Sequence, residues 1–213
     1  MSFEGRLEKV LSLRDALRQR REAMVSAAVT SLKFTAKDCA REVDVTIERL
    51  GMFARAASLL SGRVPLRGPG SRVALMLAYN GSAWLSTAIT SIYLVGNRVD
   101  VRFASKGDEI MRLTQDMYRP LFGDAISFHR GSGRGFLENA LRDPEVSAAV
   151  VFGFDENILP YEEAFRAAGK SLVFEGPGLI PRIKQGLAAR LAACEARLSQ
   201  VVGRRAAEMA GKD

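Results

Sequence analysis

Cysteine is nearly absent: Cys39 and Cys194 are the only two in 213 residues, too few for a disulfide framework. Histidine occurs once, at His129, so neither a histidine-based triad nor a multi-histidine metal centre can be assembled, and no metal site is expected. His129 itself reads as a strand-end residue with a satisfied hydrogen bond. Apolar residues never continue for the roughly 20 positions that a membrane-crossing helix needs. Residues 1–10 interleave Glu4, Arg6, Glu8 and Lys9 with single apolar residues, unlike a secretion signal. The G-x-G-x-x-G fingerprint that usually announces a dinucleotide is also missing. These absences exclude a disulfide scaffold and a membrane span, and they place the chain in a reducing cytoplasm.

What is present suits one main core: 47% of the residues are apolar. The net charge of +7 is uneven, because residues 179–213 carry +4 of it. That tail has no aromatic residue on which a base could stack, which argues against nucleic acid. Leu187, Leu191, Cys194 and Leu198 give it helical spacing.

Segment 1–61 reads as helical, most simply as two antiparallel helices. Val43, Ile47, Leu50, Ala54 and Ala57 lay one apolar stripe along the second, and Thr35 with Asp38 forms a capping pair ahead of it. Gly62, Pro65, Gly68, Pro69 and Gly70 mark 62–71 as a linker. Strand-like runs then follow at 72–78, 98–103, 125–129, 148–152 and 171–175, each separated by ten or more residues of helical character. Ser82 and Gly96 suit the ends of one such helix; Pro160 suits a first helical turn and Gly169 an end. Parallel strands need crossovers of that length, and runs such as Ala148-Ala-Val-Val-Phe152 belong in a sheet covered on both faces. The expected fold class is α/β: a Rossmann-like, doubly wound parallel sheet of about five strands over 72–178, preceded by N-terminal helices and followed by a basic helical tail over 179–213. Ligands of such sheets sit beyond the carboxyl ends of the strands. There the sequence reads Tyr79-Asn-Gly-Ser-Ala-Trp84, Phe103-Ala-Ser-Lys-Gly107, His129-Arg-Gly-Ser-Gly-Arg-Gly135, Phe152-Gly-Phe-Asp155 and Glu175-Gly-Pro-Gly178.

In their order these strand ends resemble the NAD(P)-dependent aldehyde dehydrogenases, a family whose Rossmann-like domain holds its dinucleotide without the usual glycine fingerprint. The resemblance runs from the N-terminal helices to about Gly178. It implies NAD or NADP as cofactor and an aldehyde as substrate of a complete form. Tyr79-Asn80 is similar to the family's Trp-Asn pair, which makes Asn80 the counterpart of a donor to the oxyanion formed when a thiolate adds to an aldehyde. One fixed donor of that kind is worth about 3 kcal/mol. Read alone, Asn80-Gly81 is equally a turn chosen for its left-handed backbone. Val101-Arg-Phe-Ala-Ser-Lys106 resembles the family's Val-Lys-Pro-x-Glu stretch, which implies that Arg102, Ser105 and Lys106 face the adenosine ribose. Ser105 stands where a carboxylate would repel a 2′-phosphate, so NADP is expected to bind at least as well as NAD.

Gly131 and Gly135 follow a strand and open a helix, as either a phosphate cradle or a tight turn. Gly153 matches a turn that lets a pyrophosphate approach a helix start, but Phe154 stands in place of a serine and Ile158 in place of a second glycine. Val173-Phe-Glu-Gly-Pro-Gly178 resembles Leu-Glu-Leu-Gly-Gly, implying that Glu175 is both the general base for thioester hydrolysis and part of the cofactor site.

The family's nucleophile lies in a Gly-Gln-x-Cys-like stretch some thirty residues after that Glu. Here the region reads Gly203-Arg-Arg-Ala-Ala-Glu-Met-Ala-Gly-Lys-Asp213, and Cys194 comes too early, with alanines and Glu195 around it. The expectation is therefore the cofactor-binding part of an aldehyde dehydrogenase, truncated before the cysteine domain and inactive alone, either as a homo- or hetero-oligomer or without partners. The alternative is a non-catalytic NAD(P)-binding or regulatory protein acting through a partner.

Overall fold

The computed structural model describes residues 1–60, 70–78, 85–103, 107–153 and 155–175, with the side chains at 57–60, 85, 86, 155 and 175 excepted. Residues Met1–Phe174 form one compact unit. At its centre lie five strands: β1 (Arg72–Met76), β2 (Arg98–Arg102), β3 (Ile126–His129), β4 (Val146–Phe152) and β5 (Ser171–Glu175). Their order in the sheet is β3-β2-β1-β4-β5, all parallel. This is the expected doubly wound sheet. Each of the five strands falls within two residues of its predicted start and end. Because β1 leads outward one way to β2 and β3, and β4 and β5 lie on its other side, the order reverses between β1 and β4. In sheets of this kind ligands bind in a crevice beyond the carboxyl ends of the strands at that point of reversal.

Three helices precede the sheet, where the sequence suggested two: α1 (Phe3–Gln19), α2 (Arg21–Leu32) and α3 (Ala36–Leu60). The additional break falls at Arg20, which no glycine or proline marks; its backbone N–H closes α1 on Ala16, and Met24 N–H opens α2 on the Arg20 carbonyl. The capping pair is present, with Asp38 N–H donating to Thr35 Oγ1 at 3.1 Å and Thr35 Oγ1 donating to Asp38 at 2.7 Å. Val43, Ile47 and Leu50 are buried as the stripe required, but Ala54 is exposed, so the stripe leaves the core before α3 ends.

The crossovers are α4 (Leu85–Leu94), α5 (Asp108–Phe122), α6 (Gly133–Arg142) and α7 (Asp155–Ala167). Gly96 (φ 100°) and Gly169 (φ 67°) follow α4 and α7 in the left-handed conformation that glycine tolerates best. Pro160 lies in the second turn of α7, not the first, because the helix already starts at Asp155. No helix among the described residues is long and apolar enough to cross a membrane.

Alternation along the strands divides the core in two. Leu75, Leu77, Val99, Val101, Phe103 and Ile126 pack under α1–α5, while Ala74, Ala149, Val151 and Phe174 pack under α6 and α7 with Leu137, Ile158 and Phe165. On the α1–α5 side Arg6 is buried and bridges two elements. Its Nε donates to the Leu94 carbonyl at the end of α4 and an Nη donates to the Met1 carbonyl, both at 2.8 Å. The α6–α7 face turns polar toward β3. There His129 Nε2 lies 3.2 Å from Asp100 Oδ1. Arg72 reaches Asp100 at 3.6 Å, Asp143 at 3.4 Å and Glu145 at 3.1 Å. The Arg72 ion pairs tie β1 and β2 to the turn before β4.

Candidate functional site

At the carboxyl end of β2, Arg102 points toward the β3–α6 turn. Pairing in register with Met76 of β1 and His129 of β3 carries its side chain to the α6–α7 face. The Arg102 Nε donates to the Gly131 carbonyl at 3.0 Å, and the guanidinium is buried, with 8% of the residue exposed. Burial holds its pKa below the usual arginine value. Gly131 adopts φ 108°, a left-handed conformation that a side chain would strain, and this turns its carbonyl toward Arg102.

Ser132 caps α6, its Oγ accepting from Gly135 N–H at 3.0 Å. A Cβ on Gly135 would sit 3.1 Å from that Oγ, a close contact. Gly133 is packed more tightly: a Cβ there would stand 3.1 Å from Met76 Sδ and 3.7 Å from the Arg102 Cζ. Met76, Arg102, Gly131 and Gly133 thus converge, with the first N–H groups of α6 beside a buried cation. Of these, sequence reading singled out Arg102 and Gly131 and missed Met76 and Gly133. Ser132 was legible as a helix cap from its place three residues before Gly135, and Gly133 from the density of glycine around it.

Across the crevice the geometry differs. Gly153 follows β4, and a Cβ placed on it would lie 3.3 Å from Ile158 Cδ1 and 4.0 Å from Cγ1. Ile158, in the first turn of α7, is fully buried. The same turn carries Asp155 and the exposed Glu156. Glu175 is the last residue of β5. Tyr79, Asn80, Ser105 and Lys106 lie outside the described residues, as do the side chain of Glu175, the linker at 62–69 and the tail at 179–213. Leu77 N–H donates to the Arg102 carbonyl at 2.9 Å, extending the pairing of β1 with β2 by one residue. Cys39 is buried on α3; burial first, then Glu42 and Asp38, pushes its thiol pKa up, the reverse of what a thiolate nucleophile needs.

A dinucleotide makes two demands on such a crevice. At the β2–α6 end the residues fit: a buried guanidinium and unpaired N–H groups in the first helical turn suit a ribose or phosphate oxygen. At the α7 start they do not, because Ile158 fills the space that Gly153 leaves and two acidic residues occupy the first turn.

No family model and no curated protein matches the chain. Solved structures do. An oxidoreductase from Marinobacter aquaeolei superposes with a TM-score of 0.74 at 16% identity, covering 83% of this chain and 40% of its own. Over that stretch the two chains share one fold. A NAD-dependent aldehyde dehydrogenase from Sinorhizobium meliloti gives 0.73 at 15% identity, over 83% of this chain and 38% of its own. A succinic semialdehyde dehydrogenase from Streptococcus pyogenes, solved with NADP+ as the cofactor, gives 0.71 at 14% identity, over 82% and 41%. This chain therefore spans about 40% of the length of the structures it matches.

Proposed function

We propose that this chain is the nucleotide-binding portion of an aldehyde dehydrogenase-type oxidoreductase, using NAD or NADP. The observation that carries the reading is the β3-β2-β1-β4-β5 sheet, whose order reverses between β1 and β4, in a fold that superposes over 83% of the chain on an aldehyde dehydrogenase structure. Arg102 holds the adenosine ribose or its 2′-phosphate, aided by Ser105 and Lys106. In a complete form Asn80 donates to the oxyanion of the thiol adduct, and Glu175 draws the proton from the water that releases the acid. A bound nicotinamide dinucleotide supplies the hydride acceptor.

The thiolate itself comes from elsewhere. Cys39 is buried with a raised pKa, and Cys194 has only alanines and Glu195 beside it in the sequence. That observation favours the second reading, a nucleotide-binding or regulatory chain without turnover of its own.

A titration of the purified chain with NADPH and NADH, followed by the fluorescence of its single tryptophan, tests both readings. Saturable binding without aldehyde oxidation is the expected result, with NADPH bound at least as tightly as NADH. A chain that is folded by circular dichroism yet binds neither removes the proposal, and about tenfold preference for NADH removes the assignment at Ser105 and Lys106.

A further inference from the structure

Resting on that reading, we infer that this chain grips only the adenosine-phosphate half of its nucleotide, at the Arg102 end of the crevice, and holds no diphosphate at the start of α7. Glycine at the end of a strand ordinarily leaves room for a phosphate to reach the backbone of the turn. At Gly153 that room is taken from the helix side. Ile158 Cδ1 lies 3.3 Å from the position of a Cβ, and Ile158 is fully buried in the core that includes Val151 and Phe165. A diphosphate would have to displace a core side chain.

Charge acts in the same direction. Glu156 is exposed in the first turn of α7, where a carboxylate complements the helix dipole and opposes a second anion. Arg102 offers the contrary environment. It is a buried cation whose Nε is held by the Gly131 carbonyl, and among the described residues no carboxylate pairs with it. Binding free energy for a nucleotide is thus concentrated on its adenosine side, and the nicotinamide half adds almost nothing.

Calorimetric titration of the full chain with NADP+, NAD+, adenosine 2′,5′-bisphosphate and adenosine 5′-monophosphate reads this directly. The inference expects NADP+ and the bisphosphate to bind within about threefold of each other, and NAD+ and the monophosphate likewise. NADP+ binding more than about tenfold tighter than the bisphosphate overturns it while leaving the nucleotide-binding reading intact. A folded chain that binds none of the four overturns both. Ile158→Ala, checked for folding by its melting curve, is expected to gain about fivefold for NADP+ with the bisphosphate unchanged, and an equal change for both ligands shows that Ile158 is not the block. Because Ile158 is a core residue, the wild-type comparison decides.

Discussion

Replacing Arg102 by methionine separates a ligand-binding role from a structural one. The wild-type guanidinium is buried, and a charge-assisted hydrogen bond such as the one to Gly131 is worth about 1.5–3 kcal/mol. Two effects offset its loss. Gly131 is an exposed residue, so a water can take the place of Nε at its carbonyl, and removing a buried charge returns a desolvation cost of several kcal/mol. Methionine also keeps an apolar stem beside Met76. The net change in stability is expected to stay within about 1 kcal/mol, a shift of no more than about 4 °C in Tm for a chain of this size. Nucleotide affinity, by contrast, is expected to fall about tenfold to a hundredfold, the equivalent of one charged contact. Circular dichroism melts and NADP+ titrations of the two proteins in parallel measure both quantities. A Tm loss above about 8 °C with unchanged affinity would refute the reasoning, because Arg102 would then be a strap between β2 and the β3–α6 turn.

Two further outcomes test the fold. Leu75→Ala empties a fully buried site in the central strand; a loss of about 3 kcal/mol is expected, lowering Tm by about 6–12 °C, and a loss under 1 kcal/mol would mean that the α1–α5 layer does not close on β1. Asp44 accepts from Arg21 Nε at 2.7 Å and from an Nη at 2.8 Å, joining α2 to α3, and this hydrogen bonding, with the attraction of the guanidinium, holds its carboxyl below the usual range. A depressed folded pKa means stabilisation that is complete above about pH 4 and lost as pH falls through the folded value. The pair is half exposed, so Asp44→Asn is expected to cost about 0.5 kcal/mol in urea unfolding at pH 7 and nothing at pH 2; an equal cost at both pH values would show that the carboxylate charge is not the source.

Strand positions were readable because each is a short apolar run bounded by turn residues, and parallel pairing followed from the length of the crossovers. Thr35 and Asp38 announced the start of α3 because capping is local chemistry. The division of 1–61 into three helices was not readable, since α1 ends at Arg20 without any residue that forbids helix. Arg102 was legible as a cation at a strand end, and Gly153 as a missing side chain, but neither carried its environment with it. Local propensity and periodicity therefore determined the elements and their order, because those forces act over a few neighbouring residues. Only the tertiary structure decided that Arg102 is buried against Gly131 and Gly133, and that Ile158 fills the space opened at Gly153. Those contacts join different elements of the fold, and packing at van der Waals distance, which no local pattern encodes, fixes them.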